Sequence, residues 1–258
     1  MNDILIKVEN LVKTFGGLVA LNDCSLEIKD KAITGIIGPN GSGKTTLFNV
    51  ITGNLKPDTG KVFYNGVEIT NEESHDLFHL GVLRTFQIAH EFSNMTVIEN
   101  LMVVPGNQKG EKLLYSLMNS QKIKKEDELI KDKAMEVLKF LKIEHLKNER
   151  AGNLSGGQKK LLELARTMMV DAKIVFLDEV GAGVNKTLLR DISDSILKLN
   201  QDKGYTFCMI EHDFNFISEL CDPVIVLAEG SVLFKGSAKD VKSNEQVIES
   251  YLGKGLKK

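Results

Sequence analysis

Neither charge dominates this chain of 258 residues: Lys and Arg number 33 and Asp and Glu 35, a formal net charge of −2. So even a balance gives no long-range field for a phosphate backbone, and nucleic-acid binding is not expected as the main role. Cysteine is scarce. Cys24, Cys208 and Cys221 are odd in number, widely separated and without a C-x-x-C pair, which argues against a disulfide framework or a zinc site and leaves them as small buried hydrophobes. No apolar run approaches the ~18 residues a membrane helix needs. The start, Met1-Asn2-Asp3, lacks the basic and apolar regions of a signal peptide, so the protein is expected in the cytosol. The Lys-rich patch 122–125 and the tail Lys254, Lys257 and Lys258 are expected to be solvated ends. With 42% hydrophobic and 26% charged residues the composition is that of a soluble globular protein, long enough for one large domain or two small ones.

What the chain does have is Gly38-Pro39-Asn40-Gly41-Ser42-Gly43-Lys44-Thr45-Thr46, set between the apolar run Ile33 to Ile37 and a helical pattern through Leu47, Phe48, Val50 and Ile51. Gly38, Gly43, Lys44 and Thr45 satisfy G-x-x-x-x-G-K-[ST], the P-loop or Walker A motif. Glycines let the backbone bend and come close to a phosphate. Successive N–H groups and the positive end of the helix make an anion-binding nest. Lys44 would reach the β and γ phosphates, and Thr45 would offer a hydroxyl to Mg²⁺. A strand, a phosphate loop and a helix in this order predict a nucleoside triphosphate site.

Earlier in the chain, Ile4 to Val8 and Cys24 to Ile28 alternate as half-buried strands, with Leu18 to Leu21 between them. Phe15 falls at the turn; it either stacks on an adenine ring, worth ~1–3 kcal/mol by analogy with base stacking, or is a packed turn aromatic. Lys61 to Tyr64 and Val67 to Ile69, joined by Asn65-Gly66, predict a hairpin with a type I′ turn. His75 and His79 have the i, i+4 spacing of helical metal ligands but no evident third ligand, so they are expected to be surface histidines. A strand over Val82 to Phe86 delivers Gln87, which could contact Mg²⁺ or an attacking water.

From about Phe92 to Met169 the period is helical, with a polar, Lys-rich stretch from Gly106 to Lys125 expected to be a mobile surface insertion. Leu154-Ser155-Gly156-Gly157-Gln158 opens a helix in which Ser155 and Gln158 form a capping box. That pentapeptide is either a well-capped start or a second phosphate-binding terminus. Ile174 to Leu177 suits a buried parallel strand ending in Asp178-Glu179. Ligands of open α/β sheets lie at such strand ends, so Asp178 could meet the Mg²⁺ held by Thr45, and Glu179 could polarise the attacking water. Tyr205 to Ile210 is the next strand, placing His212 near the γ phosphate. Pro223 to Ala228 and Ser231 to Phe234 predict a closing hairpin around Glu229-Gly230.

Taken in chain order, Phe15, Gly38 to Thr46, Gln87, Leu154 to Gln158, Asp178-Glu179 and His212 resemble the six sites of an ABC-transporter ATPase. The resemblance implies an α/β fold of P-loop NTPase type: a RecA-like core sheet with an antiparallel β subdomain (1–87 and 170–258) and an inserted helical subdomain (88–169), all one ABC ATPase domain. It implies ATP and Mg²⁺ as ligands, with Glu179, His212, Gln87 and Lys44 catalytic and Thr45, Gln87 and Asp178 at the metal. Ser155, Gly156, Gly157 and Gln158 would grip ATP on a second subunit, in a head-to-tail sandwich dimer.

Finer stretches are most similar to the ATP-binding subunit of branched-chain amino acid importers: Phe15-Gly16-Gly17-Leu18-Val19-Ala20-Leu21, Arg84-Thr85-Phe86-Gln87, Met95 to Leu101 and Val247 to Gly253. Such a subunit works with membrane permease subunits and, through them, a solute-binding protein, at the inner face of the cell membrane. Urea or amide importers and lipid exporters are neighbouring alternatives. A soluble ABC ATPase of DNA repair or translation usually has two cassettes or a long coiled coil, whereas this chain has one cassette and no sustained heptads. Val180 and Lys186 stand where that family usually has Pro, so the loop Gly181 to Asn185 is expected to be looser; Asn185 replaces the Asp of many ABC proteins, as is common in this subfamily.

Overall fold

Runs that are apolar throughout and runs that alternate fold into two different sheets. The computed structural model describes residues 3–85, 91–106, 108, 110 and 120–252; Phe86, Gln87, the tail lysines and most of the stretch 106–125 lie outside them. Two compact units are present, Met1–Gln87 with Lys173–Ala182 and Ile196–Lys258, and Ile88–Ala172 with Gly183–Ser195.

The first unit holds both sheets. In the antiparallel one, β1 (Ile4–Phe15) and β2 (Leu18–Lys29) pair along their length, β4 (Thr59–Tyr64) joins the other side of β1, and β5 (Val67–Glu68) closes the order β2-β1-β4-β5. These first two strands are longer than their alternation indicates. Register shifts interrupt the pairing after Ile4, Val8, Leu11 and Lys13, and each bulge resets which side chain faces the core. Asn65 at φ 48° and Gly66 at φ 80° fit the type I′ turn that their dipeptide predicts.

The second sheet has the order β10-β9-β3-β8-β7-β6. β3 (Ile33–Ile37), β7 (Ile174–Asp178), β8 (Thr206–Ile210) and β9 (Val224–Ala228) are interior strands, and the first three are buried at every residue, as expected of parallel strands covered on both faces. β6 (Val82–Arg84) pairs parallel with β7 at one edge, and β10 (Ser231–Gly236) pairs antiparallel with β9 at the other. Between β3 and β4 runs α1 (Lys44–Ile51), which buries Leu47, Phe48, Val50 and Ile51. Phe48 packs edge-on against Phe176 of β7, ring centroids 5.0 Å apart and both rings fully buried. Each such ring contributes roughly 1.5–3 kcal/mol by leaving water. That contact seats the phosphate-loop helix beside the strand that ends in Asp178. The short helix α2 (Ser74–His79) carries His75 and His79 exposed, their rings 4.7 Å apart.

The second unit is helical. α3 (Val97–Met102) starts at a Thr96/Glu99 capping box, α4 (Ser120–Phe140) buries Ala134, Val137 and Leu138 at helical spacing, and α5 (Gly156–Met168) follows. α6 (Lys186–Lys203) starts here and ends in the first unit, which also holds α7 (Phe214–Leu220), α8 (Ala238–Ser243) and α9 (Glu245–Leu252). No described helix is long and apolar enough to cross a membrane. The three cysteines are buried and unpaired, and burial raises the Cys24 and Cys221 thiols to about 12, so they behave as apolar side chains.

Candidate active site

The carboxyl ends of β3, β7 and β8 carry Gly38, Asp178-Glu179 and, after Glu211, His212, because parallel strands aim their C-termini to one edge of the sheet. At that edge lies a groove of about 370 Å³ lined by residues from Asn40 to Thr46, by Glu179 and His212, and by Phe15, Leu18 and Val19.

The loop from Gly38 to Gly43 is held open by contacts only glycine permits. A Cβ on Gly38 would lie 2.1 Å from the Leu227 carbonyl oxygen, and one on Gly43, at φ 97°, 2.4 Å from that of Ala20. Gly43 is also the N-cap of α1, and it supplies no side-chain acceptor; the first turn has no acidic residue either. Thr96, Ser155, Asp213 and Ser237 cap four other helices with a side-chain oxygen, and α2, which Glu73 leaves uncapped, has Asp76 in its first turn. The N–H groups of α1 therefore face the groove with the helix dipole behind them and no internal anion to satisfy them. Pro39 is half-buried and Asn40 exposed at the rim, while Ser42 is buried.

Lys44 folds back over this loop. Its Nζ donates to the carbonyl oxygens of Gly38 and Pro39 at 2.9 and 3.0 Å and to Ser42 Oγ at 3.4 Å. Burial lowers the pKa of the ammonium, and Glu179 and Asp178 oppose that shift. A phosphate entering the groove offers this cation stronger acceptors than two neutral carbonyls. Thr45 is exposed and Thr46 half-buried on the same turn.

Glu179 sits at φ 51°, a left-handed conformation unusual for a side chain of its size and one that gathers at functional sites. Its Oε1 lies 2.9 Å from His212 Nε2. Behind the pair, buried Glu211 accepts the Gly181 N–H on Oε1 at 2.8 Å, and burial pushes its pKa up. Asp178 is buried and its Oδ2 accepts from Arg84 Nη2 at 2.7 Å. Phe15 is 47% exposed beside exposed Leu18 and Val19, an apolar platform at the groove's side. Asp58 steadies it by accepting from Lys13 Nζ, Thr14 N–H and Thr14 Oγ, which hold its carboxyl down at about 2.

Among the described residues no group of three or more His, Cys, Asp or Glu side chains can hold an ion. A metal at Thr45 and Asp178 would take most of its ligands from phosphate and water, the habit of Mg²⁺. The donor set thus fits a nucleotide with Mg²⁺, and it fits no metal held by protein alone.

In the helical unit, Ser155 and Gln158 form the expected capping box, with Ser155 N–H donating to Gln158 Oε1 at 2.9 Å. The two glycines differ. Gly156 is exposed with nothing within 4 Å of a Cβ position, whereas a Cβ on Gly157 would meet Leu188 Cδ2 at 2.2 Å. Gly157 therefore answers to packing, and packing makes no such demand at Gly156. Asn185 Oδ1 accepts the Leu188 N–H at 3.0 Å, a helix cap in the place of the family's Asp.

Two partners escaped sequence reasoning. Arg84 is 94 residues from Asp178, and Glu211 reads as the last polar residue of a strand; only an unpaired-looking charge beside a buried run hinted at either.

Residues 21–182 match the family model described as ABC transporter. A relative from Archaeoglobus fulgidus, a "Probable branched-chain amino acid transport ATP-binding protein LivG", is 43% identical over 96% of this chain and 95% of its own. A nucleotide-free ATP-binding cassette from an ABC transporter superposes with a TM-score of 0.84 at 41% identity, covering 97% of this chain and 99% of that one. A dimeric cassette in a post-hydrolysis state, bound to ADP and phosphate, gives 0.74 at 25% identity over 91% and 99%. The matched segment runs from β2 through the phosphate loop and past Glu179, and the likeness extends along nearly the whole length on both sides, so this chain belongs to the ABC transporter family.

Proposed function

We propose that this chain is the ATP-binding and hydrolysing subunit of an importer of branched-chain amino acids. The observation that carries the ATPase reading is one groove in which an uncapped helix N-terminus and Lys44 face the Glu179–His212 pair. The choice of substrate is supported by the name of the A. fulgidus relative and by the stretches around Phe15, Arg84, Met95 and Tyr251.

In this reading Phe15 stacks on adenine, the loop N–H groups from Gly38 to Thr46 take the phosphates, and Lys44 exchanges its carbonyl partners for β and γ oxygens. Thr45 and Asp178, with Gln87, would hold Mg²⁺, which supplies neutralisation of the charge on the β and γ phosphates. Glu179 accepts a proton from water as the water oxygen bonds to the γ phosphorus; the bond to the β–γ bridging oxygen breaks, leaving ADP and phosphate. His212 fixes the carboxylate through its Nε2 and stands beside the γ phosphate. Residues 88–169 serve as a helical subdomain to a core of 1–87 and 170–258. Ser155 to Gln158 cover the γ phosphate of ATP on a second cassette, self or paralogue, in a head-to-tail dimer. Permease subunits, supplied by a solute-binding protein, hold the pair at the inner face of the membrane, with Gln87 next to their docking helix. Nucleic acid has no part.

The test is uptake of labelled leucine, isoleucine and valine by cells lacking this chain, with urea and polar amino acids as controls. Loss of the three branched-chain activities is expected. Unchanged leucine uptake beside lost urea uptake would overturn the substrate and leave the ATPase standing.

A further inference from the structure

The hydrolysis scheme gives no task to the Arg84–Asp178 ion pair, yet the pair includes the carboxylate assigned to the metal in that scheme. Both side chains are nearly inaccessible, 7% and 3% exposed, and Arg84 Nη2 donates to Asp178 Oδ2 at 2.7 Å. The other terminal nitrogen, Nη1, donates to Asn49 Oδ1 on α1. Asn49 follows Thr45 by four residues, so the two lie on one face of that helix. The guanidinium also lies over the Phe48 ring, 5.8 Å from its centroid, and Phe48 is locked edge-on by Phe176. One residue further on, Thr85 N–H donates to the Phe176 carbonyl at 2.9 Å, and Thr85 Oγ accepts from the Asp178 N–H at 3.5 Å. The end of β6 thus grips the end of β7 by side chain and main chain together, and grips the Thr45 face of α1 with the same guanidinium.

We infer that Arg84 is a positioning residue for the metal: it takes Oδ2 of Asp178 and ties that carboxylate to the Thr45 face of α1, leaving Oδ1 for a hydrated Mg²⁺. The inference rests on the proposed reading of Asp178 and Thr45 as the metal's protein ligands. Only arginine offers two donors in a fixed planar fork, so one residue can set the separation of two elements; lysine has a single swivelling ammonium. The buried carboxylate also carries a partner before any metal arrives, so the site is assembled in advance instead of being built around the ion. Partners that orient a ligand typically change metal affinity 10–100-fold when removed.

The experiment uses the full chain. Binding of a fluorescent ATP analogue is measured in EDTA and then along a Mg²⁺ titration, for the wild type, Arg84→Gln, Arg84→Lys and Asn49→Ala, with thermal melts alongside. Mn²⁺ in place of Mg²⁺ gives a paramagnetic-resonance signal of the bound ion. For Arg84→Gln the metal-free affinity should stay within about twofold, while the Mg²⁺ needed for half-maximal enhancement rises roughly tenfold or more. Arg84→Lys should not rescue it, and Asn49→Ala, which keeps the ion pair, should shift the same way by less. A Mg²⁺ requirement unchanged in Arg84→Lys and Asn49→Ala, or metal-free affinity falling in step with the Mg²⁺ effect, would overturn the inference; these two variants decide it if Arg84→Gln does not fold. A wild type that binds the nucleotide without any response to Mg²⁺ would instead remove the metal reading itself, and one that does not bind it would remove the proposed function.

Discussion

Replacing Lys44 by Ala separates what the lysine does for the fold from what it does for the nucleotide. In the folded chain its Nζ serves the Gly38 and Pro39 carbonyls at 2.9 and 3.0 Å. Losing that donor costs on the order of 1 kcal/mol per neutral acceptor, because the groove beside Asn40 and Thr45 is open and water can replace it. Against this, the variant no longer buries an ammonium whose pKa burial already lowers. The two effects oppose each other, so the melting temperature should move by only about 2–4 °C for each net kcal/mol. Binding has no such offset. Two charge-assisted hydrogen bonds to phosphate oxygens, at ~1.5–3 kcal/mol each, amount to about 3–6 kcal/mol, or roughly 10²–10⁴ in affinity or rate. Thermal melts paired with ATP-analogue binding and with hydrolysis in the assembled complex give both numbers. Full hydrolysis by a folded Lys44→Ala protein would refute the reasoning, since no other described cation lies over the loop from Gly38 to Gly43.

Glu179→Gln keeps the volume and loses the base: hydrolysis should fall by ~10²–10⁴ while ATP still binds, and size-exclusion with ATP should show a dimer, alone or with a paralogue. Gly38→Ala forces a Cβ to within 2.1 Å of the Leu227 carbonyl, so the loop must shift; nucleotide binding should be lost together with stability of ~1–3 kcal/mol or more, read by melts and equilibrium binding. Asp58→Asn should lower affinity for ATP a few-fold by loosening Thr14 and Phe15. In the wild type, where the carboxyl is held down at about 2, that anchor should be complete above pH ~4 and weaken only as pH falls toward 2, which an affinity profile against pH checks.

How far the residues announce this architecture depends on how local each requirement is. The phosphate loop is legible because its glycines, lysine and hydroxyl must be consecutive to line one anion, and β3, β7 and β8 are legible because a strand covered on both faces has to be apolar throughout. β1 and β2 were legible only in part: four register shifts break the period of two, the first of them inside Ile4 to Val8, where Leu5 and Ile6 are both buried, so the buried-exposed alternation is kept over Cys24 to Ile28 and broken in β1. Asp58 looks like a turn residue in Lys56-Pro57-Asp58-Thr59-Gly60, and its three hydrogen bonds reach residues 44 and 45 positions away. Arg84 illustrates the same limit, since a single arginine at a strand end carries no mark of the carboxylate and the amide it joins. Helix capping is the reverse case. Ser155 with Gln158 is visible as a box in four letters, whereas α1 has neither a side-chain cap nor an acid in its first turn, an absence that acquires meaning only beside Lys44.

Glu211 joins the histidine end of the site to the loop after Glu179, and it titrates in the opposite direction from Asp58. It is 5% exposed, and its pKa is raised mainly by burial, with the nearby Glu179 adding to the rise and the amides of Gly181 and His212 resisting it. A carboxyl that holds its proton more tightly folded than unfolded favours the folded state below its unfolded pKa of about 4.3, and that contribution is lost as pH climbs through the folded value. Glu211→Gln retains an oxygen to accept the Gly181 N–H at its 2.8 Å position and removes the charge. The variant should therefore melt with the wild type near pH 4–5 and progressively above it as pH rises, by about 2–4 °C for each kcal/mol of burial cost relieved. Melting curves from pH 5 to 9 measure this directly. A variant less stable than the wild type by the same margin at every pH would mean that the ionised carboxylate grips Gly181 more strongly than burial penalises it, and the raised pKa would have to be abandoned.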